Sequence, residues 1–300
     1  MMFEFIPSGL FDLANQNHYF GGWPTLKNDP QTIVMAFPVE GWKGSAAVTL
    51  RQETDGRIAG QVYGPAEITE KARSQALACL SLDISAEEWP EVGKRDPVIG
   101  ELQFKYNFLR PVLFHSPYEA AAGFIIGHRR SIRQKVEIMK HLAEDIGDKW
   151  MVEGQVFHAF PQPSDLFTLA SYKGLNEQKV ERLHFVAKSA LDGLLDRDFL
   201  RSLPIDNALA QLETLPGVGP FFAQGILHRG AGLVDDITRD DLTDYTIQKA
   251  YRLAEIPDQA KIDEISKAWR PFRMWATILL HIWVRREYGI PTGRRASSTR

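Results

Sequence analysis

The stretch LETLPGVGPFFAQG, residues 212–225, decides how the chain is read. It sets a Pro-Gly-Val-Gly-Pro knot between two apolar segments of helical texture. Pro216 fixes φ for a tight turn, and Gly217 and Gly219 accept positive φ with no Cβ to clash. Pro220 suits the first turn of a helix, where its missing N–H would lack a partner anyway. The expected local structure is helix, hairpin, helix. The amides of Val218 and Gly219 and the N-terminus of the second helix are then free, which makes a site for an anion such as a phosphate. A plain inter-helix turn fits the same residues. No Gly-Lys-Ser/Thr follows, so the segment is not a P-loop. No strand precedes it, so it is not a dinucleotide fingerprint.

Helical texture continues on both sides. Segments 164–171, 176–195, 207–214, 220–229, 245–254, 262–268 and 271–288 are helix candidates. Residues 117–146 read as one long helix with Ala121, Phe124, Ile125, Ile132, Val136 and Met139 on its apolar side. No strand is expected after residue 116. Before it, 32–39, 45–52 and 57–63 are β-rich, the last two separated by the turn-like Thr54-Asp55-Gly56. Residues 65–82 place Ile68, Ala72, Ala76 and Cys79/Leu80 on one side of a helix. Residues 83–99 read as short and irregular with a break at Asp96-Pro97, and the polar tail 291–300 reads as disordered.

With 300 residues, 44% hydrophobic and 24% charged, the chain is long enough for two or three packed cores. It has no apolar run of about 18 residues, so no membrane-spanning helix is expected. Residues 1–15 hold Glu4 and Asp12 but neither Lys nor Arg, so no secretory signal is read. Cys79 is the single cysteine, which excludes an internal disulfide, a four-cysteine zinc site and an iron–sulfur cluster, and fits a reducing, intracellular compartment. The histidines show no metal-ligand spacing, and His281 reads as a structural helix residue. The net charge of −3 is not that of a basic nucleic-acid-binding domain. Any such binding must use backbone donors and a local patch, for which Arg129, Arg130, Arg133 and Lys135 are the candidates.

Four segments together carry a family resemblance: RPVLFHSPYEAAAGFIIGHRRSI at 110–132, LPGVGPFFAQGILHRG at 215–230, DYTIQKAYRL at 244–253 and WRPFRMWATILLHIW at 269–283. In this order they resemble the helix-hairpin-helix (HhH-GPD) superfamily of DNA glycosylases. Within it, the chain looks most like the alkylpurine-removing branch, the 3-methyladenine DNA glycosylase II type. The resemblance implies an N-terminal TBP-like α+β domain over 1–105, followed by an all-α glycosylase domain of two helical subdomains over 106–290. It also implies a monofunctional hydrolase acting on damaged double-stranded DNA in base excision repair, working as a monomer in the cytoplasm or otherwise inside the cell, with no cofactor.

The family's essential aspartate stands at a helix start about twenty residues past the hairpin. Here Asp235, Asp236, Asp240, Asp241 and Asp244 crowd that region. Asp244 is the expected catalytic residue because it precedes Tyr245-Thr246-Ile247, matching the family's Asp-Tyr pattern; Asp240 has the better spacing but the poorer local context. A fixed carboxylate opposes the oxocarbenium charge that grows on the sugar as the base leaves. Where bifunctional relatives carry a nucleophilic lysine, this chain has Phe221, which implies no lyase activity. The resemblance puts Phe221 and Trp283 in the base pocket, with Tyr245 and Trp275 as weaker candidates; their aromatic faces would attract a cationic base. It puts Leu215, Gly217, Val218 and Gly219 of the hairpin against DNA, together with His128, Arg129 and Arg130, with Arg129 as the wedge filling the gap left by a flipped base. Gly225 stands where the family has a tyrosine, which implies a wider pocket, and Thr243 replaces an acidic neighbour. Two alternatives remain: another damaged base as substrate, or a DNA-binding protein that has lost catalysis.

Overall fold

The computed structural model describes residues 1–20 and 22–289; the tail expected to be disordered lies outside the described residues. The first part is an antiparallel sheet built from β1 (Met2–Phe5), β2 (Thr25–Leu26), β3 (Asp29–Pro38), β4 (Ser45–Gln52) and β5 (Ile58–Tyr63), with α1 (Leu13–Phe20) between the first two strands and α2 (Thr69–Cys79) after the last. The strand order is β1-β5-β4-β3-β2. The β-rich segments read from sequence are β3, β4 and β5. The short edge strands were not legible, because two to four residues are too few for a periodic signal. β1 can lie against β5 because Gly60 has no side chain: a Cβ there would sit 2.4 Å from the ring of Phe3.

The central strand β4 is buried on both faces over its first six residues. On one face Phe37, Val48, Leu50 and Val62 pack against Ile68, Ala72, Ala76 and Cys79, the helical stripe read from sequence. The other face is covered by a hairpin, β6 (Lys149–Val152) and β7 (Gln155–His158), through Val152, Leu26, Val34 and Ala47. Trp150 Nε1 donates to Ser45 Oγ at 2.9 Å across this contact. The hairpin corrects the expectation of an all-α second part with no strand after residue 116. Its turn, Glu153-Gly154, takes positive φ at both residues (46° and 76°), the two-residue connection that antiparallel strands favour.

The remainder is mostly helical. In chain order it holds α3 (Trp89–Arg95), α4 (Pro97–Lys105), α5 (Pro117–Gly127), α6 (Ile132–Ile146), α7 (Pro163–Phe167), α8 (Glu177–Leu191), α9 (Arg197–Ser202), α10 (Ile205–Glu213), α11 (Pro220–Gly225), α12 (Asp241–Ala250), α13 (Gln259–Ser266) and α14 (Arg273–Tyr288). The long helix expected over 117–146 is two helices. Ser131 starts α6 with a capping box, its hydroxyl accepting from the Gln134 amide while the Gln134 side chain accepts from the Ser131 amide. Arg129 turns the chain at φ 54°.

Two helical cores result. One joins α5 and α8 through residues such as Tyr118, Ile125, Leu183, Val186 and Ile226. The other joins Trp89, Ile99 and Tyr106 to Trp269, Trp275 and Leu279. The boundary expected at residue 105 therefore falls just after α3 and α4, which share their core with α14. Asp96 organises this core: it caps α4 by accepting from the Val98 and Ile99 amides, and it also accepts from Trp269 Nε1 at 2.8 Å and from the Tyr251 hydroxyl. Asp96→Ala strands those buried donors and is expected to cost about 3 kcal/mol of stability, to be read as a lower urea midpoint at unchanged slope.

Candidate active-site cleft

The hairpin forms as expected, with one difference. Gly217 takes φ 86°, and Gly219 is the extended residue that starts α11. Leu215 and Val218 point their side chains into the helical core. The Val218 amide is not free, because it donates to Leu215 O at 2.9 Å and closes the turn. Gly217 has a second reason to be glycine: a Cβ would stand 2.7 Å from Arg182 Cδ and Nε. Arg182, on α8, thus lies beneath the hairpin.

After Gly225 the helix widens into a π-helical turn, Ile226–Ala231, and ends at Gly232 with φ 79°. Such turns are rare and cluster at functional sites. Here the turn delivers His228 and Arg229 to the wall of a cleft of about 540 Å³. Phe221, Gly225, Thr238 and Asp240 line the same cleft, with Phe114, Phe124 and Ile132 opposite and Thr277, Ile278, His281, Ile282 and Arg285 of α14 along one side. Phe221 is 53% exposed, an apolar ring held at the cleft mouth.

Gly225 does not widen this cleft. The Phe124 ring occupies the room that a side chain at 225 would take, since a Cβ there would meet Phe124 Cζ at 2.4 Å. Phe124 packs in turn against Phe222, with ring centroids 5.1 Å apart.

Asp240 is the carboxylate that lines the cleft, whereas Asp244, the residue expected from sequence, does not line it. Asp240 is the N-cap of α12, with Oδ1 accepting from the Thr243 amide at 2.7 Å. It is 21 residues past Gly219. Asp244 lies one turn into α12 and outside the cleft lining, paired with Arg239 at 3.2 Å, whose guanidinium also bonds Gln259 and Pro257 O.

The loop before Asp240 is tied down on several sides. His228 bridges the Thr238 hydroxyl and Asp236, the latter at 3.0 Å. Arg273 Nε donates to Asp235 at 2.7 Å. Thr243 Oγ1 donates to Thr238 O at 3.0 Å and lies 3.0 Å from His281 Nε2. His281, read from sequence as structural, lines the cleft. Burial pushes its imidazole down to about 4, so it is neutral at pH 7. Arg285 Nη1 is buried in the cleft without a partner.

Three aromatic residues expected in the base pocket lie outside the cleft lining. Trp275 is wholly buried against Trp89 and Phe272, so it is core. Trp283 and Tyr245 both turn to Tyr288, outside the cleft lining. Aromatic residues on a helix are bury-first residues, and sequence alone does not reveal which face they take. Phe114 and Phe124, which the site reading missed, form the aromatic wall instead.

The connection between α5 and α6 presents exposed His128 and Arg129. Arg130 is not available to DNA in the way expected, because its guanidinium donates to Gly174 O. Lys179 holds the same connection from behind, its Nζ donating to Ile126 O at 2.7 Å and His128 O at 2.8 Å. Arg133 pairs with Glu137 on the exposed side of α6, whereas Lys135 turns inward. Sequence gave no signal for Lys179 or Arg182, which become neighbours of the hairpin and this connection only through folding. Arg285 was legible as the residue one turn beyond His281. Among the described residues no group of side chains is arranged to hold a metal ion, and no helix is long and apolar enough to cross a membrane.

No family model matches the chain. A DNA-3-methyladenine glycosylase of Bacillus subtilis is 24% identical over 210 residues, 67% of this chain and 68% of that protein. DNA-3-methyladenine glycosylase 2 of Escherichia coli is 26% identical over 172 residues, 55% of this chain and 56% of that protein, so the chain spans little more than half the length of that relative. Among solved structures, a 3-methyladenine DNA-glycosylase from Archaeoglobus fulgidus superposes with a TM-score of 0.75 at 20% identity, covering 95% of this chain and 98% of that one. The Clostridium acetobutylicum 8-oxoguanine glycosylase/lyase in complex with double-stranded DNA gives 0.68 at 17% identity, covering 97% and 99%. In sequence the chain is thus similar to DNA-3-methyladenine glycosylases, and it shares the fold of solved DNA glycosylases, with the π turn and the capping aspartate in one cleft.

Proposed function

We propose that this protein is a DNA glycosylase that starts base excision repair: it flips a damaged purine out of duplex DNA into the cleft and hydrolyses its N-glycosidic bond. The observation that carries this reading is the Asp240 carboxylate, capping α12 in a cleft walled by Phe114, Phe124 and Phe221. A base cannot be cut inside the stack, so it needs an aromatic receptacle of this kind. As the bond breaks, the sugar gains positive charge, and a preorganised carboxylate stabilises that charge and orients the attacking water. The Gly217 and Gly219 backbone suits a phosphate near the hairpin, and exposed Arg129 suits the gap left by the flipped base.

The reaction we propose is hydrolytic, without strand cleavage. Phe221 stands in place of a nucleophilic lysine, and no lysine lines the cleft among the described residues. The relatives named for 3-methyladenine support an alkylated purine as substrate. The protein is proposed to act as a monomer.

The test is single-turnover base release from methylated duplex DNA, with strands resolved before and after alkali. Release with breaks only after alkali is expected. Breaks before alkali would sink the monofunctional reading. Duplex binding with no release from alkylated, oxidised or deaminated substrates would sink the glycosylase reading itself.

A further inference from the structure

Lys135 has a place built for it. Gly123 and Gly127 lie within α5, where glycine is less favourable than alanine. A Cβ at Gly123 would stand 3.3 Å from Lys135 Cε and Nζ, and one at Gly127 3.0 Å from Lys135 Cδ. The two glycines leave a channel for the lysine stem. Its ammonium stops 5.0 Å from the ring centroid of Phe114 and 5.6 Å from that of Phe124, the rings of the cleft's aromatic wall. It makes no hydrogen bond or ion pair among the described residues, and Glu119, whose field reaches it, is bonded to His115 at 2.8 Å.

A second observation points the same way. Arg285 Nη1 is buried and unpartnered on the cleft wall, so it calls for an acceptor from whatever enters. Arg229 lines the cleft as well, donating to Val112 O at 2.7 Å. Against these cations the cleft sets one carboxylate, Asp240.

We infer, on the reading that this cleft receives a flipped base, that Lys135 is a specificity-determining residue: acting through the Phe114–Phe124 wall it penalises a positively charged alkylated base relative to a neutral damaged purine that offers an acceptor to Arg285. A ring already facing one cation is a poorer partner for a second. Two unit charges on either side of a ring, about 9 Å apart, repel enough at an effective dielectric constant of about 20 to change a rate on the order of tenfold. A neutral purine stacks on the same rings without that penalty, and its carbonyl oxygen or ring nitrogen satisfies Arg285 Nη1.

The test uses two duplexes identical except for one base, cationic 7-methylguanine or neutral hypoxanthine. Single-turnover release is measured for the wild type, Lys135→Met and Lys135→Arg. The ratio of cationic to neutral release is the readout, because it cancels any loss of folded protein. It is expected to rise about tenfold in Lys135→Met and to hold in Lys135→Arg. An unchanged ratio in Lys135→Met, with at least one base still released, overturns the inference and leaves the glycosylase reading standing. Release of neither base by the wild type overturns the inference, and the glycosylase reading falls with it only if no other alkylated or oxidised base is released either. A borohydride-trapped covalent adduct that disappears in Lys135→Met also overturns the inference, since it makes the lysine a nucleophile.

Discussion

Replacing Asp240 with Asn is expected to lower single-turnover base release by about 10³-fold, while Asp244→Asn stays within about threefold of wild type. The asymmetry follows from where the two carboxylates sit. Asp240 caps α12 at the cleft, where a negative charge faces the sugar as it becomes cationic. Asparagine keeps the cap, since it too accepts from the Thr243 amide. The helix therefore stays, and only the charge is lost. Asp244 loses an ion pair to Arg239 that is partly solvated, worth about 1 kcal/mol or less. Melting temperatures of both variants near that of the wild type would complete the comparison. Equal loss in the two variants, or loss in Asp244→Asn alone, would return the catalytic role to Asp244.

The second large effect is on stability. Arg110→Ala is expected to cost about 4 kcal/mol and lower the melting temperature by roughly 10 °C. Arg110 is completely buried and has no carboxylate partner; it donates to Ser8 O, Leu10 O and Ser81 O, and its guanidinium carbon lies 5.5 Å from the Phe11 ring and 5.8 Å from that of Trp275. One side chain thus ties the segment after β1, the end of α2 and α14 together. Burial pushes the guanidinium down to about 10, which still leaves it charged at pH 7. Truncation strands three carbonyls and opens a cavity. Arg110→Lys is expected to recover only part of the loss, because an ammonium lacks the planar fork that reaches carbonyls on two sides. A melting temperature unchanged in Arg110→Ala would show that those carbonyls find other donors.

Much of this architecture was legible, and the reasons are physical. The three long strands alternate with turn residues, and α2 shows its stripe at Ile68, Ala72, Ala76 and Cys79; both patterns are local. The hairpin was legible because glycine and proline constrain the backbone directly. The β6–β7 hairpin was not, since four-residue strands carry little period. The break between α5 and α6 was hidden because apolar residues continue across it, although the Ser131…Gln134 spacing was a start signal in plain view.

The site was less legible than the fold. Among the five aspartates, spacing pointed to Asp240 and local text to Asp244, and only the backbone shows which of them caps α12 at the cleft. Sorting Phe114 and Phe124 from Trp275 and Trp283 needed to know which helix faces meet. Lys135 looked like part of a solvated basic face, and only the glycines opposite show where it goes.

The wide turn at Ile226–Ala231 has a consequence for how the chain can change. A π turn is an insertion stored inside a helix: it holds an extra residue per turn without a loop to absorb it. Removing one residue there would let the segment relax to α geometry while the chain on either side keeps its direction. His228 and Arg229 would leave the cleft, and the anchor on Asp236 and Thr238 would go with them. The residue count between hairpin and carboxylate therefore has to be read together with the stored residue. Two chains with the same count can differ by one stored residue, and two with different counts can present the same carboxylate.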